Sequence, residues 1–143
     1  VLLYMISQAR EVFCTKMNKL LFYADFLAYR RNGMAITGLS YKALGFGPVP
    51  ERWDRVYSQF DEMTQEPRSY NEKEGIVLVT NAVADTSIFS ESELEIMDEV
   101  CARFAKYSSS EISAISHEEK AWLECSEGHK RIPFRYAFEL KAI

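Results

Sequence analysis

A helix with aromatic residues on its second side, ended by a glycine and followed by a glycine- and proline-rich loop, constrains this chain more than any other stretch. The helical part runs from Thr15 through KMNKLLFYADFLAYRRN to Gly33. Met17, Leu20, Leu21, Ala24, Leu27 and Ala28 follow the three-and-four spacing that stacks side chains into one stripe. Thr15 offers the hydroxyl of an N-cap, and Gly33 can take the left-handed conformation that closes a helix. The other side carries Tyr23, Phe26 and Tyr29 among Lys16, Lys19, Asp25 and Arg30. One apolar face does not describe such a helix, so cover from two directions is expected.

After it, Thr37-Gly38 and Gly45-Phe46-Gly47-Pro48-Val49-Pro50 force turns or extended backbone, because Gly admits positive φ and Pro pushes its predecessor out of the helical region. Leu39, Tyr41, Ala43 and Leu44 suit a short strand between them. Pro50 fits a first helical position, so a helix is predicted from Pro50 to about Met63, with Trp53, Val56, Tyr57, Phe60 and Met63 on one face. Glu66-Pro67 would mark its exit. The pattern turns β-like from Asn71 to Asp85, where Ile76 to Thr80 reads as a strand paired with Tyr41 to Phe46.

Val1 to Ala9 is an apolar helix candidate, followed by Arg10 and Glu11. The C-terminal third holds three capping boxes, Ser90 with Glu93, Ser108 with Glu111 and Ser116 with Glu119. The helices they open would bury Leu94, Met97, Cys101 and Phe104, then Ile112 and Ile115, then Ala121 and Trp122, ending near Gly128. Ile132 to Ile143 reads as a last helix with Phe134 and Phe138 inward, although Tyr136 and Phe138 also fit a strand. The fold class expected is α+β and mainly helical, with about six helices around a small two- or three-stranded sheet.

At 143 residues with 48% hydrophobic and 27% charged residues, the chain has the length and composition of one globular domain, 1–143. Its longest N-terminal apolar run, Val1 to Ile6, is too short to span a bilayer and has no signal-peptide flank, so a cytoplasmic protein without membrane contact is expected. Cys14, Cys101 and Cys125 form no C-x-x-C pair, so reduced thiols are expected. A net charge of −4 disfavours direct nucleic-acid binding and favours a basic protein partner.

Catalytic signals are weak. The histidines are His117 and His129, and no nucleophile elbow, P-loop or H-E-x-x-H accompanies them. Cys125 and His129 stand four apart without the second pair a zinc site needs. The expectation is therefore no enzyme, no metal and no cofactor. Asp25 among aromatics is either a functional contact or, the favoured reading, one half of an ion pair with a Lys or Arg of the same chain. The Gly45 to Pro50 loop is either a buried turn or a stiff support that presents Phe46 and Val49 to a partner.

Four pieces in fixed order resemble the signature of the Panacea antitoxin domain, the family of SocA-like and phage-associated GepA-like bacterial proteins. They are Lys19 to Asp25, then Ile36-Thr37-Gly38 with Tyr41 and Ala43, then Phe46 to Pro50, and Ser116-His117-Glu118-Glu119-Lys120-Ala121-Trp122. Phe22-Tyr23 stands where the family often has Tyr-Phe, and Phe46 where it often has Tyr. The resemblance implies an antitoxin of a type II toxin-antitoxin system that neutralises a cognate toxin protein by direct binding. Two alternatives come with it: a proteolytic adaptor that delivers a toxin to an ATP-dependent protease, or the regulatory domain of a transcriptional regulator. The chain opens at Val1 with no initiator Met, which reads as a fragment of a longer polypeptide, and the resemblance implies that the missing N-terminal region is a further domain, frequently helix-turn-helix in the family. Tyr23, Asp25, Tyr41, Phe46, Val49, Trp53, His117 and Trp122 are the expected partner-binding residues. Added charge at Phe46, Val49 or Tyr41 should then weaken binding at an unchanged melting temperature. The toxin's identity and the oligomeric state are open.

Overall fold

The computed structural model describes residues 1–9, 12–70 and 73–143. The chain opens with α1 (Leu2–Ala9), β1 (Val12–Phe13) and α2 (Cys14–Asn32), then forms β2 (Tyr41–Leu44), β3 (Gly47–Pro50) and the short α3 (Trp53–Ser58). A long hairpin follows, β4 (Thr64–Tyr70) and β5 (Lys73–Val79), and the last third holds α4 (Glu91–Phe104), α5 (Ser109–Ser116), α6 (Lys120–Cys125) and a 3₁₀ helix at Phe134–Glu139. The fold is α+β and mainly helical.

Helix α2 is the axis. Every residue from Met17 to Ala28 is buried, Lys19 and Asp25 included, because α4, α5, β3 and the 3₁₀ helix close on it from different sides. Burying a large apolar side chain stabilises by roughly 1.5–3 kcal/mol, so Leu20, Leu21, Phe22, Phe26 and Leu27 make this helix the main source of core stability. Gly33 closes it as expected, at φ 74°, its N–H donating to the Tyr29 carbonyl at 2.8 Å. Its start differs from expectation. Thr15 lies inside the helix and Phe13 is the N-cap, with no side-chain cap bond, because β1 pairs with β5 and holds the backbone extended up to Phe13.

The strands fall into two sheets, one ordered β1-β5-β4 and one made of β2 and β3 alone. The expected pairing of Tyr41–Phe46 with Ile76–Thr80 is not formed. Tyr41 lies opposite Pro50 and Leu44 opposite Gly47, a hairpin that reverses across Gly45-Phe46, since a two-residue reversal pairs adjacent stretches directly. The free edge of β2 is covered by the 130–132 segment, with Ala43 N–H donating to Lys130 O and Ile132 N–H to Tyr41 O. Pro50 therefore ends a strand instead of starting a helix, and α3 is confined to Trp53–Ser58. Pro67 lies within β4, the edge strand of its sheet, where a missing N–H is tolerated. The β region's expected start at Asn71 lies outside the described residues, as do Arg10 and Glu11.

Of the three capping boxes, Ser90 with Glu93 is complete. Ser108 accepts from the Glu111 N–H, but the Glu111 carboxylate meets the serine hydroxyl, not its backbone. The third is absent: Ser116 is the last residue of α5 and donates to the Ser113 carbonyl, while Glu119 is buried. The last helix is also a correction. In the 3₁₀ helix side chains three apart align, so Phe134 and Ala137 face inward and Phe138 is 64% exposed.

Candidate functional site

Asp25 organises the approach to the β2–β3 hairpin. Its carboxylate accepts from the backbone N–H of Ile36 at 2.8 Å and of Thr37 at 2.9 Å, from the Thr37 hydroxyl, and from the Tyr41 hydroxyl at 2.6 Å. The expected ion pair is thus replaced by neutral donors. Burial raises the Asp25 carboxyl pKa, and these hydrogen bonds oppose the rise without cancelling it. The arrangement ties the segment after Gly33 back onto α2 and fixes where Tyr41, and so β2, begins. Phe22 and Phe26 pack edge-on against the Tyr41 ring, with centroids at 5.8 Å in both cases.

The hairpin stem is buried at Tyr41, Ala43 and Gly47–Pro50, whereas its tip is not: Phe46 is 76% exposed. From the side, Trp122 Nε1–H donates to the Leu44 carbonyl at 2.7 Å, and the Trp122 ring packs against His117 with centroids 4.2 Å apart and planes tilted by 32°. Lys42, Leu44, Val49 and Trp53 line a shallow hollow of about 330 Å³ beside the tip. Of the expected partner-binding residues, Phe46 and Trp53 are exposed, and His117 and Trp122 are half-buried. Tyr23, Asp25, Tyr41 and Val49 are buried. Adding charge at Tyr41 or Val49 would therefore put it in the core, which corrects the expectation of an unchanged melting temperature at those two positions.

Two functional candidates were not among the expected residues. Glu119 is buried and accepts from the N–H groups of Lys141 and Ala142, each at 2.9 Å, and from the Tyr23 hydroxyl at 3.3 Å. Lys19 is 0% exposed, and its Nζ has no partner among the described residues. A signal for Lys19 existed: it stands three and four residues before Phe22 and Tyr23, on the helix side that the aromatics mark as covered. Close above it is Gly47, at φ 111°, where a Cβ would stand 2.6 Å from Lys19 Cε and closer still to Ser116 Oγ.

Burial lowers the Lys19 pKa from 10.5 to about 7. Between those values the unfolded chain holds the proton and the folded chain does not, so stability rises with pH across that window. Replacing Lys19 by Met should raise stability at pH 7 by ~2 kcal/mol or more and flatten this rise, measured as urea midpoints at pH 7 and 9. His117 faces the same place; burial first, then the Lys19 charge, lowers its pKa, while the Gly45 backbone acts in the opposite direction. The buried Cys14 and Cys101 titrate near 11, above this window and opposite to what an activated nucleophile needs.

On another side of the molecule, Leu2, Leu21, Leu39, Val56, Phe60 and Ile88 line a largely apolar groove of about 530 Å³. Among the described residues no cluster of His, Cys, Asp and Glu could hold a metal ion, and no helix is long and apolar enough to cross a membrane. A family model described as antitoxin SocA-like, Panacea domain, matches residues 17–123. That range takes in α2 from Met17 onward, the hairpin, Glu119 and Trp122. No curated protein and no solved structure matches the chain.

Proposed function

The chain belongs to the SocA-like Panacea antitoxin family, and on that premise we propose that it is the antitoxin of a type II system, neutralising a toxin protein by direct contact through the β2–β3 hairpin face. The observation that carries the reading is Phe46, 76% exposed at the tip of a hairpin whose stem is buried. A large aromatic held on a rigid support loses little conformational entropy on docking, which is what an interface anchor requires. Trp53, at 37% exposed, extends the face beside it. The net charge of −4 favours a basic toxin surface. Neutralisation is then steric: the hairpin face covers the toxin's working surface, and no bond is made or broken. Asp25, Tyr41, Val49 and Tyr23 serve the interface from beneath by fixing the hairpin, with His117 and Trp122 bracing its side.

Growth rescue tests this. The toxin encoded beside the gene is expressed with the domain in hosts with and without their ATP-dependent proteases. Rescue in both hosts is the expected result, and rescue confined to the protease-bearing host would establish the adaptor reading in its place. Phe46→Asp should abolish rescue and weaken toxin binding about 30-fold, ~2 kcal/mol, with a melting temperature within about 2 °C of wild type. Met34 is 74% exposed beyond the C-terminal end of α2. It lies fifteen residues along the chain from Lys19, roughly 20 Å at helical rise. Met34→Asp should leave rescue intact.

A further inference from the structure

Three buried polar atoms without partners gather where α2, α5 and the hairpin tip meet: Lys19 Nζ, Ser113 Oγ and His117 Nε2. Ser113, Ser116 and His117 stand three and four residues apart at the C-terminal end of α5, so they share a face. That face meets Lys19, because Lys19 Cε and Ser116 Oγ both crowd the same side of Gly47. Ser116 already donates to the Ser113 carbonyl at 2.7 Å. Lys19 Nζ and Ser113 Oγ have no such occupation among the described residues, whereas the His117 ring bonds the Gly45 backbone through its other nitrogen. His117 is half-buried with its Nε2 out of solvent, and it lies close enough to Lys19 for the amine's charge to act on it.

Burying a lysine amine, a serine hydroxyl and an imidazole nitrogen without partners costs stability at each, so such a cluster calls for an occupant. The donors decide its chemistry: a lysine amine, which a bound anion would hold protonated, and a serine hydroxyl together suit a negatively charged oxygen ligand. We propose that Lys19 and Ser113 form a binding site for a small oxyanion of the carboxylate or phosphate class, entered past the half-buried His117 ring at the base of the hairpin tip. The oxyanion is either free in solution or an acidic group carried by the toxin; the second source rests on the antitoxin reading above, the first does not. Gly47 belongs to the site because any side chain there would strike Lys19 and Ser116. Occupation would couple the buried cluster to the hairpin that carries Phe46.

The test compares melting temperatures of the isolated chain at pH 7 in sodium phosphate, acetate and chloride at equal ionic strength, for wild type, Lys19→Met and Ser113→Ala. General salting effects of phosphate act on all three proteins alike. The expected result is a saturable rise of about 3 °C for wild type in phosphate or acetate over chloride, absent in Lys19→Met and reduced in Ser113→Ala. Should the three proteins respond equally, a toxin complex weakened tenfold or more by Lys19→Met would place the acidic group on the toxin. Equal anion responses together with an unchanged toxin affinity would overturn the proposal. The isolated-chain arm needs no toxin, so its outcome is independent of whether the antitoxin reading survives.

Discussion

Asp25→Ala is expected to destabilise the domain by about 3–5 kcal/mol, a large part of the 5–15 kcal/mol typical of a single domain. The substitution strands the Tyr41 hydroxyl, which is fully buried, together with the Ile36 and Thr37 N–H groups and the Thr37 hydroxyl. Asp25→Asn should cost far less, ~1 kcal/mol. Its carbonyl can keep both backbone donors, and the Thr37 and Tyr41 hydroxyls can rotate to accept from its amide. It also removes a carboxyl whose charged form burial disfavours. Urea unfolding of the two variants against wild type decides the matter. Equal losses for Ala and Asn would mean that the charge itself, not the pattern of acceptors, holds the segment after α2.

Glu119→Ala is the second large effect, expected at about 2–4 kcal/mol. The carboxylate is the acceptor for the N–H groups of Lys141 and Ala142 and lies within reach of the Tyr23 hydroxyl on α2. Without it, the hydrogen bonds left to the 141–143 segment among the described residues are those of Arg30 to the Ile143 carbonyl and of Arg103 to the Ala142 carbonyl, beside the packing of Ala142 and Ile143 against the core. Hydrogen exchange should show the Lys141 and Ala142 amides losing protection while the α2 core keeps most of its own. Unchanged protection at those two amides would show that the arginines alone hold the segment.

Much of the helical framework was legible because its signals are local. The spacing from Met17 to Ala28 and the glycine at position 33 define α2 without any knowledge of its neighbours, and Ser90 with Glu93 defines the start of α4. The strand partners were not legible in the same way. Tyr41–Leu44 and Ile76–Val79 both read as strands, but their partners depend on the reversal at Gly45-Phe46 and on β1, a two-residue strand too short to carry a pattern. Glu119 shows the same limit. Its spacing from Ser116 imitates a capping box, yet Ser116 closes a helix and Glu119 turns inward to amides more than twenty residues away. A local pattern cannot report an acceptor whose donors arrive from a distant segment.

The candidate site divides along the same line. Phe46 was legible as the aromatic of a stiff glycine- and proline-bounded loop, and it is exposed. Val49 was grouped with it because the two lie in one loop, but Val49 belongs to β3, every residue of which is buried. Lys19 and Asp25 are charged residues whose types alone suggest a solvated helix face. Only their place among Phe22, Tyr23 and Phe26 hints that the chain covers them.

The most direct measurement of the central claim is the affinity of the purified domain for the purified toxin, by titration calorimetry, for wild type and Phe46→Asp side by side with their melting curves. Tight binding by wild type, weakened about 30-fold by the substitution at an unchanged melting temperature, is the predicted result. Wild-type affinity in Phe46→Asp, or no complex between the two purified proteins, would contradict an antitoxin that works by covering its toxin with this hairpin.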